Sequence, residues 1–204
     1  MKVLVIDYGM GNLGSVSRAF EECGADVLTS ANSREVQSAE RIVLPGVGAF
    51  PDGMAHLHAG DWPGQLRTAL NNPGVRLLGI CLGKQLLADQ GEEGGRTPGL
   101  GLIAGEVQRL DPKDANTRVP HVGWNEVNSA RPDPLLRLIP DGTDFYFVHS
   151  YHFRPAVPAV VLGTTPYCGG FASVVGSGNV YGVQFHPEKS SQPGFQVIRN
   201  FLAR

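Results

Sequence analysis

The chain has 204 residues, of which 42% are hydrophobic, and these values predict one domain spanning residues 1–204 with a substantial core. Its formal net charge is -2, and only 18% of its residues are charged. This balance gives no sign of the basic face with which proteins bind nucleic acid, so nucleic acid is not an expected partner.

The cysteines and the N-terminus indicate the compartment in which the chain works. Cys23, Cys81 and Cys168 are odd in number and widely spaced, which argues against a disulfide framework and for a reducing compartment. The apolar run Val3–Ile6 is shorter than the hydrophobic region of a signal peptide. No stretch approaches the roughly 18 apolar residues of a membrane span. We therefore expect a cytoplasmic protein without a membrane partner.

The first half of the chain alternates predicted strands with predicted helices. Continuous apolar runs are typical of strands that are buried on both faces of a parallel sheet. Apolar residues at helical spacing between these runs predict crossover helices. The predicted strands are Val3–Ile6, Val27–Leu28, Arg41–Leu44 and Val75–Ile80, and the predicted helices are Leu13–Cys23, about 52–72, and a segment from Leu82 through Leu86 and Leu87.

Glycines and prolines break the second half into shorter predicted strands, which we interpret as antiparallel additions to the same sheet. The polar segment Asp111–Thr117 has no clear period and is predicted to be a mobile loop. The whole pattern predicts an α/β fold with a mostly parallel central sheet flanked by helices. The predicted strands of this half are Ile103–Leu110, Asn125–Val127, Phe145–His152, Val160–Thr164, Ala172–Val175 and Val180–Phe185, followed by a last helix over about 194–203.

The segment Gly79–Gly83 carries the strongest chemical signal in the sequence. Its central residue, Cys81, follows a predicted strand and precedes a predicted helix, with a glycine two residues away on either side. This is the layout of a nucleophile elbow with cysteine in place of serine. The start of a helix favours a thiolate, and the N–H of Leu82 is expected to face an oxyanion. The alternative is a structural cysteine that is merely buried after a strand, which the flanking glycines disfavour.

A thiolate nucleophile needs a histidine partner, and that histidine needs a group to hold it. Of the six histidines, His186 is the best candidate because an apolar strand ends there and Glu188 follows on the same face of an extended chain. Pro187 favours extended backbone at His186, so that Glu188 can accept a hydrogen bond from one ring nitrogen while the other faces the sulfur. The alternative is an ordinary strand-end histidine beside a solvated glutamate. His56 and His58 lack an obvious third ligand, so no metal site is expected.

Two segments, Gly79–Gln85 and Phe185–Glu188, resemble the triad class of glutamine amidotransferases. A closer resemblance is to the glutaminase subunits of imidazole glycerol phosphate synthase, an enzyme of histidine biosynthesis. The blocks that carry this closer resemblance span nearly the whole chain and are Tyr8–Leu13, Leu44–Phe50, Pro120–Asn125, Tyr146–Tyr151 and Gln184–Ser190.

The resemblance implies that the chain hydrolyses glutamine to glutamate and ammonia without a cofactor. Cys81 would attack the side-chain amide to form a glutamyl thioester, His186 would protonate the departing ammonia, and Glu188 would orient His186. The other implied site residues are Val47 and Leu82 at the oxyanion hole, Gly48, Gln85, Ser150 and Tyr151 in the glutamine pocket, and Asn12 and Trp124 at the interface with a partner.

The implied partner is the (β/α)8 cyclase subunit of imidazole glycerol phosphate synthase, with which the chain would form a heterodimer. Ammonia would reach the cyclase without meeting bulk water. The cyclase would add it to a phosphorylated ribulosyl carboxamide, giving imidazole glycerol phosphate and an aminoimidazole carboxamide ribotide. The alternatives are a catalytically silent amidotransferase-like binding subunit, the glutaminase subunit of another ammonia-using synthase, and a cysteine peptidase or hydrolase.

Several of these assignments have simpler alternatives. In these alternatives, Gln85 is a solvated helix residue, Ser150 and Tyr151 simply end a strand, and Trp124 belongs to the core. Position 84 also departs from the family pattern, since it holds a lysine where the family usually has methionine. The charge of Lys84 would either favour the thiolate or face the partner, and the sequence leaves both interpretations open.

Overall fold

The computed structural model describes residues 1–114 and 117–203, and within them the strands form two sheets. The α-helices are α1 (Leu13–Glu22), α2 (Phe50–Ala59), α3 (Trp62–Leu70), α4 (Leu82–Leu86) and α5 (Ser191–Leu202). The strands are β1 (Lys2–Ile6), β2 (Asp26–Ser30), β3 (Arg41–Leu44), β4 (Arg76–Ile80), β5 (Gln90–Gly91), β6 (Thr97–Pro98), β7 (Gly105–Arg109), β8 (His121–Ser129), β9 (Thr143–His149), β10 (Tyr151–Pro155), β11 (Val161–Thr165), β12 (Phe171–Ser177) and β13 (Val180–Val183). Short 3-10 helices cover Ser33–Ser38, Pro134–Leu136, Pro158–Val160 and Pro187–Lys189.

The parallel part of the larger sheet has the strand order β2-β1-β3-β4-β13, with helices on both faces, which confirms the predicted α/β fold. Every residue of β3 is buried, as expected for a strand that is covered on both sides. Alternate residues of β1 enter different hydrophobic clusters. Leu4 and Ile6 pack with residues of α2 and α3, whereas Val3 and Val5 pack with residues of α1 and α5. The helices on the two faces of the sheet therefore fix the positions of the C-terminal ends of the parallel strands.

The strands β12, β11, β8 and β9 extend the larger sheet with antiparallel pairings. The expectation that Val180–Phe185 is one of these antiparallel additions is wrong on one side of the strand. This segment forms β13, which pairs antiparallel with β12 on one side but parallel with β4 on the other. The parallel register places Val183 opposite Ile80. The segments that follow the two strands, one with Cys81 and the other with His186, therefore begin side by side.

A separate sheet with the order β10-β7-β5-β6 corrects the expectation that all the C-terminal strands join one sheet. The segment Phe145–His152, predicted as one strand, divides at Ser150 between β9 in the first sheet and β10 in the second. The carbonyl of Ser150 accepts a hydrogen bond from the N–H of Leu110 at the end of β7, which draws the chain into the second sheet. The sequence could not show this break, because both strands have the same alternating pattern.

The helical segment predicted over about 52–72 is divided into α2 and α3. The break lies at Gly60 and Asp61, and the backbone of Asp61 is left-handed with φ of 56°. The loop expected over Asp111–Thr117 includes residues 115 and 116, which lie outside the described residues. In the part of the chain that the structure describes, no helix has both the length and the apolar character needed to cross a membrane.

Candidate active site

Cys81 occupies the sharp turn between β4 and α4. Its backbone has φ of 54° and ψ of -108°, a conformation that costs a non-glycine residue about 1–3 kcal/mol and persists only when its surroundings enforce it. The N–H of Cys81 donates to the carbonyl of Val183 over 2.8 Å, and its carbonyl accepts from the N–H of Gln85 over 3.2 Å. The neighbouring strand and the first turn of α4 thus hold the strained residue in place.

Packing requires both of the glycines that flank this turn. A Cβ on Gly83 would overlap the carbonyl oxygen of Leu44 at the end of β3. A Cβ on Gly79 would lie 2.6 Å from the carbonyl oxygen of Gly83. The two glycines therefore allow α4 to begin directly above the ends of β3 and β4, which is the arrangement that the sequence pattern predicts.

The sulfur of Cys81 lies between a hydrogen-bond acceptor and a hydrogen-bond donor. As a thiol it can donate to the carbonyl of Val148 on β9, and as a thiolate it can accept from Nε2 of Gln184, both at 3.8 Å. Gln184 is wholly buried, so its amide has no water to bond with in place of the sulfur. The surroundings therefore provide a partner for each protonation state of Cys81.

His186 and Glu188 form a buried pair beside Cys81. The Nδ1–H of His186 donates to Oε1 of Glu188 over 2.8 Å, and the two side chains are only 3% and 2% exposed. The backbone of His186 is extended, with φ of -96° and ψ of 98°, as the following Pro187 favours. The alternative of a solvated glutamate at position 188 is therefore wrong.

The second ring nitrogen of His186, Nε2, is buried and has no hydrogen-bond partner among the described residues. The sulfur of Cys81 is nevertheless close enough to act on the charge of the ring. Burial by itself lowers the pKa of His186, but the interactions with Cys81 and Glu188 outweigh burial and raise this pKa to about 10. The ring is therefore an imidazolium near neutral pH and can act as an acid.

A cavity of about 340 Å³ opens in front of Cys81 and His186. All the residues that the resemblance implies for the oxyanion hole and the glutamine pocket line it. Gln85 is 5% exposed and its Nε2 donates to the carbonyl of Tyr151 over 2.8 Å, so the alternative of a solvated helix residue is wrong. Ser150 and Tyr151 lie at the point where the chain passes from β9 to β10, and this break in the strand brings both residues to the cavity wall.

The segment Gly46–Gly48 after β3 borders the same cavity. Gly48 has a positive φ of 106°, and a Cβ there would lie 2.7 Å from Cε of Met10. A Cβ on Gly46 would lie 2.9 Å from Cβ of Leu82. This glycine-rich segment is therefore packed between the turn that follows β1 and the start of α4, and Val47 between the two glycines is 45% exposed.

The cavity wall includes three residues that the sequence did not single out: Glu93, Val148 and His149. Val148 and His149 lie within the block Tyr146–Tyr151, which was a signal for the family but gave no role to these two positions. Oε2 of Glu93 accepts a hydrogen bond from the N–H of Phe50 over 2.8 Å, which fixes a carboxylate at the mouth of the cavity. No local pattern around Glu93 distinguishes it from a surface residue.

A chain of hydrogen bonds leads from β8 to this wall. Asn125 contacts His121 over 3.1 Å, His121 contacts His149 over 3.0 Å, and Nδ1 of His149 lies 2.9 Å from the carbonyl of Tyr151. Burial lowers the pKa of His121 to about 4 and that of His149 to about 3, so both rings are neutral near pH 7. With Nδ1–H of His149 donating to the carbonyl, each ring donates one hydrogen bond and accepts one.

Lys84 is wholly buried, so the alternative in which it faces a partner is wrong. Its Nζ donates to the carbonyl of Ala172 on β12 and lies 3.5 Å from Oε1 of Gln184. The other two cysteines have different surroundings. Burial raises the pKa of Cys23, which is near Phe195 on α5, and also that of Cys168, which lies in the turn before β12.

Asn12 and Trp124, the implied interface residues, both lie at the surface. Asn12 caps α1, since its Oδ1 accepts from the N–H of Ser15 over 3.4 Å. Trp124 is 53% exposed, so the alternative of a core residue is wrong. Next to it on β8, the exposed Val122 pairs across the sheet with the cavity residue Val148. Among the residues that the structure describes, no group of three or more histidine, cysteine, aspartate or glutamate side chains could hold a metal ion.

Comparisons with known proteins agree with this geometry. The family model described as "Glutamine amidotransferase class-I" matches residues 4–204. The curated protein "Imidazole glycerol phosphate synthase subunit HisH" of Moorella thermoacetica is 50% identical over 199 residues, which are 98% of this chain and 93% of that protein. The protein of the same name from Geobacillus kaustophilus is 46% identical over 97% of this chain and 94% of its own length.

A solved structure shows the same fold. The "Structure of PurLQS from Thermotoga maritima" matches with a TM-score of 0.76 over 99% of this chain and 97% of that chain, at 18% sequence identity. That identity supports the fold alone, whereas the curated relatives identify the subfamily. The chain therefore belongs to the class-I glutamine amidotransferases, and within them to the HisH subunits of imidazole glycerol phosphate synthase, and it is a glutamine amidotransferase enzyme.

Proposed function

We propose that this chain hydrolyses glutamine at Cys81, with His186 and Glu188 completing a catalytic triad, and passes the ammonia to a partner enzyme. The observation that carries the proposal is that a strained cysteine and a buried imidazolium, which is hydrogen-bonded to a buried carboxylate, line the same cavity. A nucleophile, a group that transfers protons and a group that orients it are the parts that covalent acyl transfer needs.

The first half of the proposed reaction forms the thioester. The thiolate of Cys81 attacks the side-chain amide carbon of glutamine, and a C–S bond forms while negative charge moves to the amide oxygen. The N–H of Leu82, which as the first residue of α4 has no partner within the helix, and a peptide N–H near Val47 stabilise that oxyanion. Nε2–H of His186 then protonates the leaving nitrogen, the C–N bond breaks, and ammonia departs.

The second half regenerates the enzyme. His186, now neutral, takes a proton from water as the water oxygen attacks the glutamyl thioester. The C–S bond breaks, and glutamate leaves while Cys81 returns to the thiolate. Glu188 holds the ring in one orientation throughout and stabilises its cationic form, because its carboxylate accepts from Nδ1–H. Atoms and protons balance with glutamine and water as the only reactants.

The remaining cavity residues suit the polar groups of glutamine. Gly48, Gln85, Ser150 and Tyr151 present backbone and side-chain groups to the cavity, and these suit the substrate carboxylate and amide. Glu93 supplies a negative charge, which suits the α-ammonium group of an amino acid. A pocket that pairs both charged ends of a substrate distinguishes a free amino acid from a peptide, and this favours a glutaminase over a cysteine peptidase.

The proposed partner is the (β/α)8 cyclase of imidazole glycerol phosphate synthase, in a cytoplasmic heterodimer with this single amidotransferase domain. The relatives' names describe them as subunits of that synthase. An exposed apolar surface formed by Val122, Trp124 and Val148 adjoins the cavity and supports docking there. Docking at the mouth of the cavity would let ammonia pass to the cyclase without entering bulk water.

Removing the nucleophile tests this division of roles. In the complex with the cyclase, Cys81→Ala should abolish glutamine-dependent synthesis and leave synthesis from added ammonium at the wild-type rate. Cys23→Ala is the matched control and should keep both activities. Glutamine-dependent synthesis that survives Cys81→Ala would refute the assignment of the nucleophile. Failure of added ammonium to rescue an assembled complex would refute the separation of ammonia release from its use.

Glutamate release from glutamine tests whether the partner controls the glutaminase activity. The turn that follows β1 packs on the oxyanion segment through Met10 and Gly48, so contact with a partner at this turn can change the orientation of that segment. Initial glutamate release should be low for the free chain and rise by about a hundredfold in the complex with the cyclase ligand, the value of one oxyanion donor. Full activity of the free chain, unchanged by the cyclase, would contradict this control and would favour a glutaminase that serves a different acceptor.

A further inference from the structure

Lys84 is a buried cation whose position calls for an explanation. It is 0% exposed, and within residues 1–114 and 117–203 no carboxylate lies within ion-pair distance of its ammonium group. A Cβ on Gly182 would lie 2.6 Å from Cγ of Lys84, so the neighbouring strand leaves room for the stem of this side chain. A charge that is buried without an anionic partner is costly, so this residue is a candidate for a functional role.

The contacts of Lys84 lead to the nucleophile through one side chain. Nζ of Lys84 donates to Oε1 of Gln184 over 3.5 Å, and Nε2 of the same amide donates to the sulfur of Cys81 over 3.8 Å. An amide that accepts at its oxygen from an ammonium must present its N–H groups on the opposite side. The lysine thus determines which end of Gln184 meets the sulfur.

We infer that Lys84 is a positioning residue for the nucleophile, which acts through Gln184 to hold an amide N–H towards Cys81 and to stabilise its thiolate. The inference rests on the proposed role of Cys81. With the amide reversed, its oxygen would face the sulfur and repel the thiolate. The ammonium also makes the N–H groups of Gln184 more acidic by polarising its carbonyl, which strengthens their bond to an anion.

The charges around Lys84 agree with this role. The titratable groups that interact electrostatically with it are Cys81 on the nucleophile turn, His149 on β9 and His152 on β10. Burial lowers the pKa of His149 to about 3 and that of His152 to about 4, so both are neutral near pH 7. Burial also lowers the pKa of Lys84 to about 7, while Cys81 acts in the opposite direction. The ammonium and the thiolate therefore stabilise each other.

The test is the pH dependence of alkylation at Cys81, measured by peptide mass spectrometry with iodoacetamide on the full chain. In Lys84→Met, which keeps the length of the side chain and removes the charge, we expect the midpoint of alkylation to move to higher pH. At a fixed pH below that midpoint, Cys81 should react about tenfold more slowly, the usual effect of losing one nearby opposite charge. Cys23 in the same molecule reports any general change in reactivity, and Lys2→Met, at the far end of β1, is the matched surface control.

A second substitution tests the route through the amide. In a Gln184→Met background, the further change Lys84→Met should shift the midpoint far less than it does in the wild-type background. An unchanged midpoint in Lys84→Met, or an undiminished shift in the Gln184→Met background, would overturn the inference. Failure of the proposed function is distinguishable, since it would appear as glutaminase activity that survives Cys81→Ala. Should Lys84→Met fail to fold, Lys84→Gln, which removes the charge and keeps a polar group, must raise the midpoint, and an unchanged midpoint would likewise overturn the inference.

Discussion

Two buried cationic groups flank the sulfur of Cys81, and their pKa values move in opposite directions. Burial acts against the charged form of both. His186 has the carboxylate of Glu188 at 2.8 Å, and its pKa rises to about 10. Among the described residues, the ammonium of Lys84 meets the carbonyl oxygens of Ala172 and Gln184 and the ring of Phe153, and no carboxylate. Its pKa falls to about 7. The comparison shows that the interactions with both Cys81 and Glu188 outweigh burial at His186, whereas the attraction of Cys81 alone does not outweigh burial at Lys84.

The two groups consequently suit different tasks. His186 keeps a proton that it can transfer to the leaving nitrogen, because Glu188 stabilises the imidazolium. Lys84 is tied to the carbonyl of Ala172 and the amide of Gln184, and Gln184 lies between it and the sulfur. It can therefore act on the nucleophile through charge and position but does not contact the reacting atoms. Substitutions at these sites should separate an effect on proton transfer from an effect on the thiolate.

The largest expected effect is at His186. Replacement by alanine removes the proton donor for ammonia, so glutamate release should fall by about a thousandfold, within the usual range for a general acid. Initial rates of glutamate release in the assembled complex measure this. Lys84→Met, expected to lose only about tenfold, is the matched comparison. Equal losses in the two variants would remove the distinction between a proton donor and a positioning residue.

A smaller effect is expected at Glu188. In Glu188→Gln the amide oxygen can still accept from the ring, but of the two groups that raise the pKa of His186, Cys81 and Glu188, the second has lost its charge. Glutamate release should fall by about a hundredfold, less than in His186→Ala, and the alkaline limb of the pH–rate profile should move to lower pH. Loss as complete as that in His186→Ala would show that Glu188 does more than orient and charge the ring.

The smallest expected effect is on stability, and its sign differs between the two cations. The pKa of Lys84 falls on folding, so its cost is largest below about pH 7 and disappears as pH rises towards 10.5, the ordinary lysine value. Lys84→Met should therefore be more stable than wild type near pH 6 and lose this advantage by about pH 10. The pKa of His186 rises on folding, so its contribution is complete below pH 6.5 and is lost as pH rises through about 10.

Urea denaturation of the free chain across this pH range measures both trends. The stability difference between wild type and His186→Ala should favour wild type at low pH and shrink as pH rises. The difference for Lys84→Met should have the opposite sign and shrink over the same range. If the two differences have the same sign, the counter-charge does not distinguish the two sites. Lys2→Met provides the baseline for a solvated lysine.

Local patterns in the sequence were sufficient to predict the sharp turn at Cys81. The strand before Cys81, the helix after it and the two glycines all lie within a few residues. The packing of Gly83 against Leu44 and of Gly79 against the backbone of Gly83 explains why the glycines must be small. The pair of His186 and Glu188 was equally accessible, because the two residues are close in the chain and Pro187 restricts the backbone between them. Short-range geometry is largely independent of the rest of the fold.

The strand assignments show where such reasoning fails. The sequence predicted one strand over Phe145–His152, yet the chain changes sheets at Ser150. It also grouped Val180–Phe185 with the antiparallel strands, although β13 completes the parallel series beside β4. Alternation of apolar residues reports which face of a strand is buried and does not report which strand lies beside it. Pairing partners depend on contacts between residues that are distant in the chain.

The sequence by itself determined the class of enzyme and predicted a nucleophile and its histidine, because these assignments depend on residue types at short spacings. The tertiary structure alone decided that Lys84 is buried behind the nucleophile, that Gln184 lies between them, and that Glu93 and His149 reach the cavity. Lys84 is the third of the five residues of α4 and, judged from the local sequence, could equally have faced solvent. Its environment is set by Phe153, Ala172 and Gln184, which are 69, 88 and 100 residues further along the chain, and no local pattern records contacts of that range.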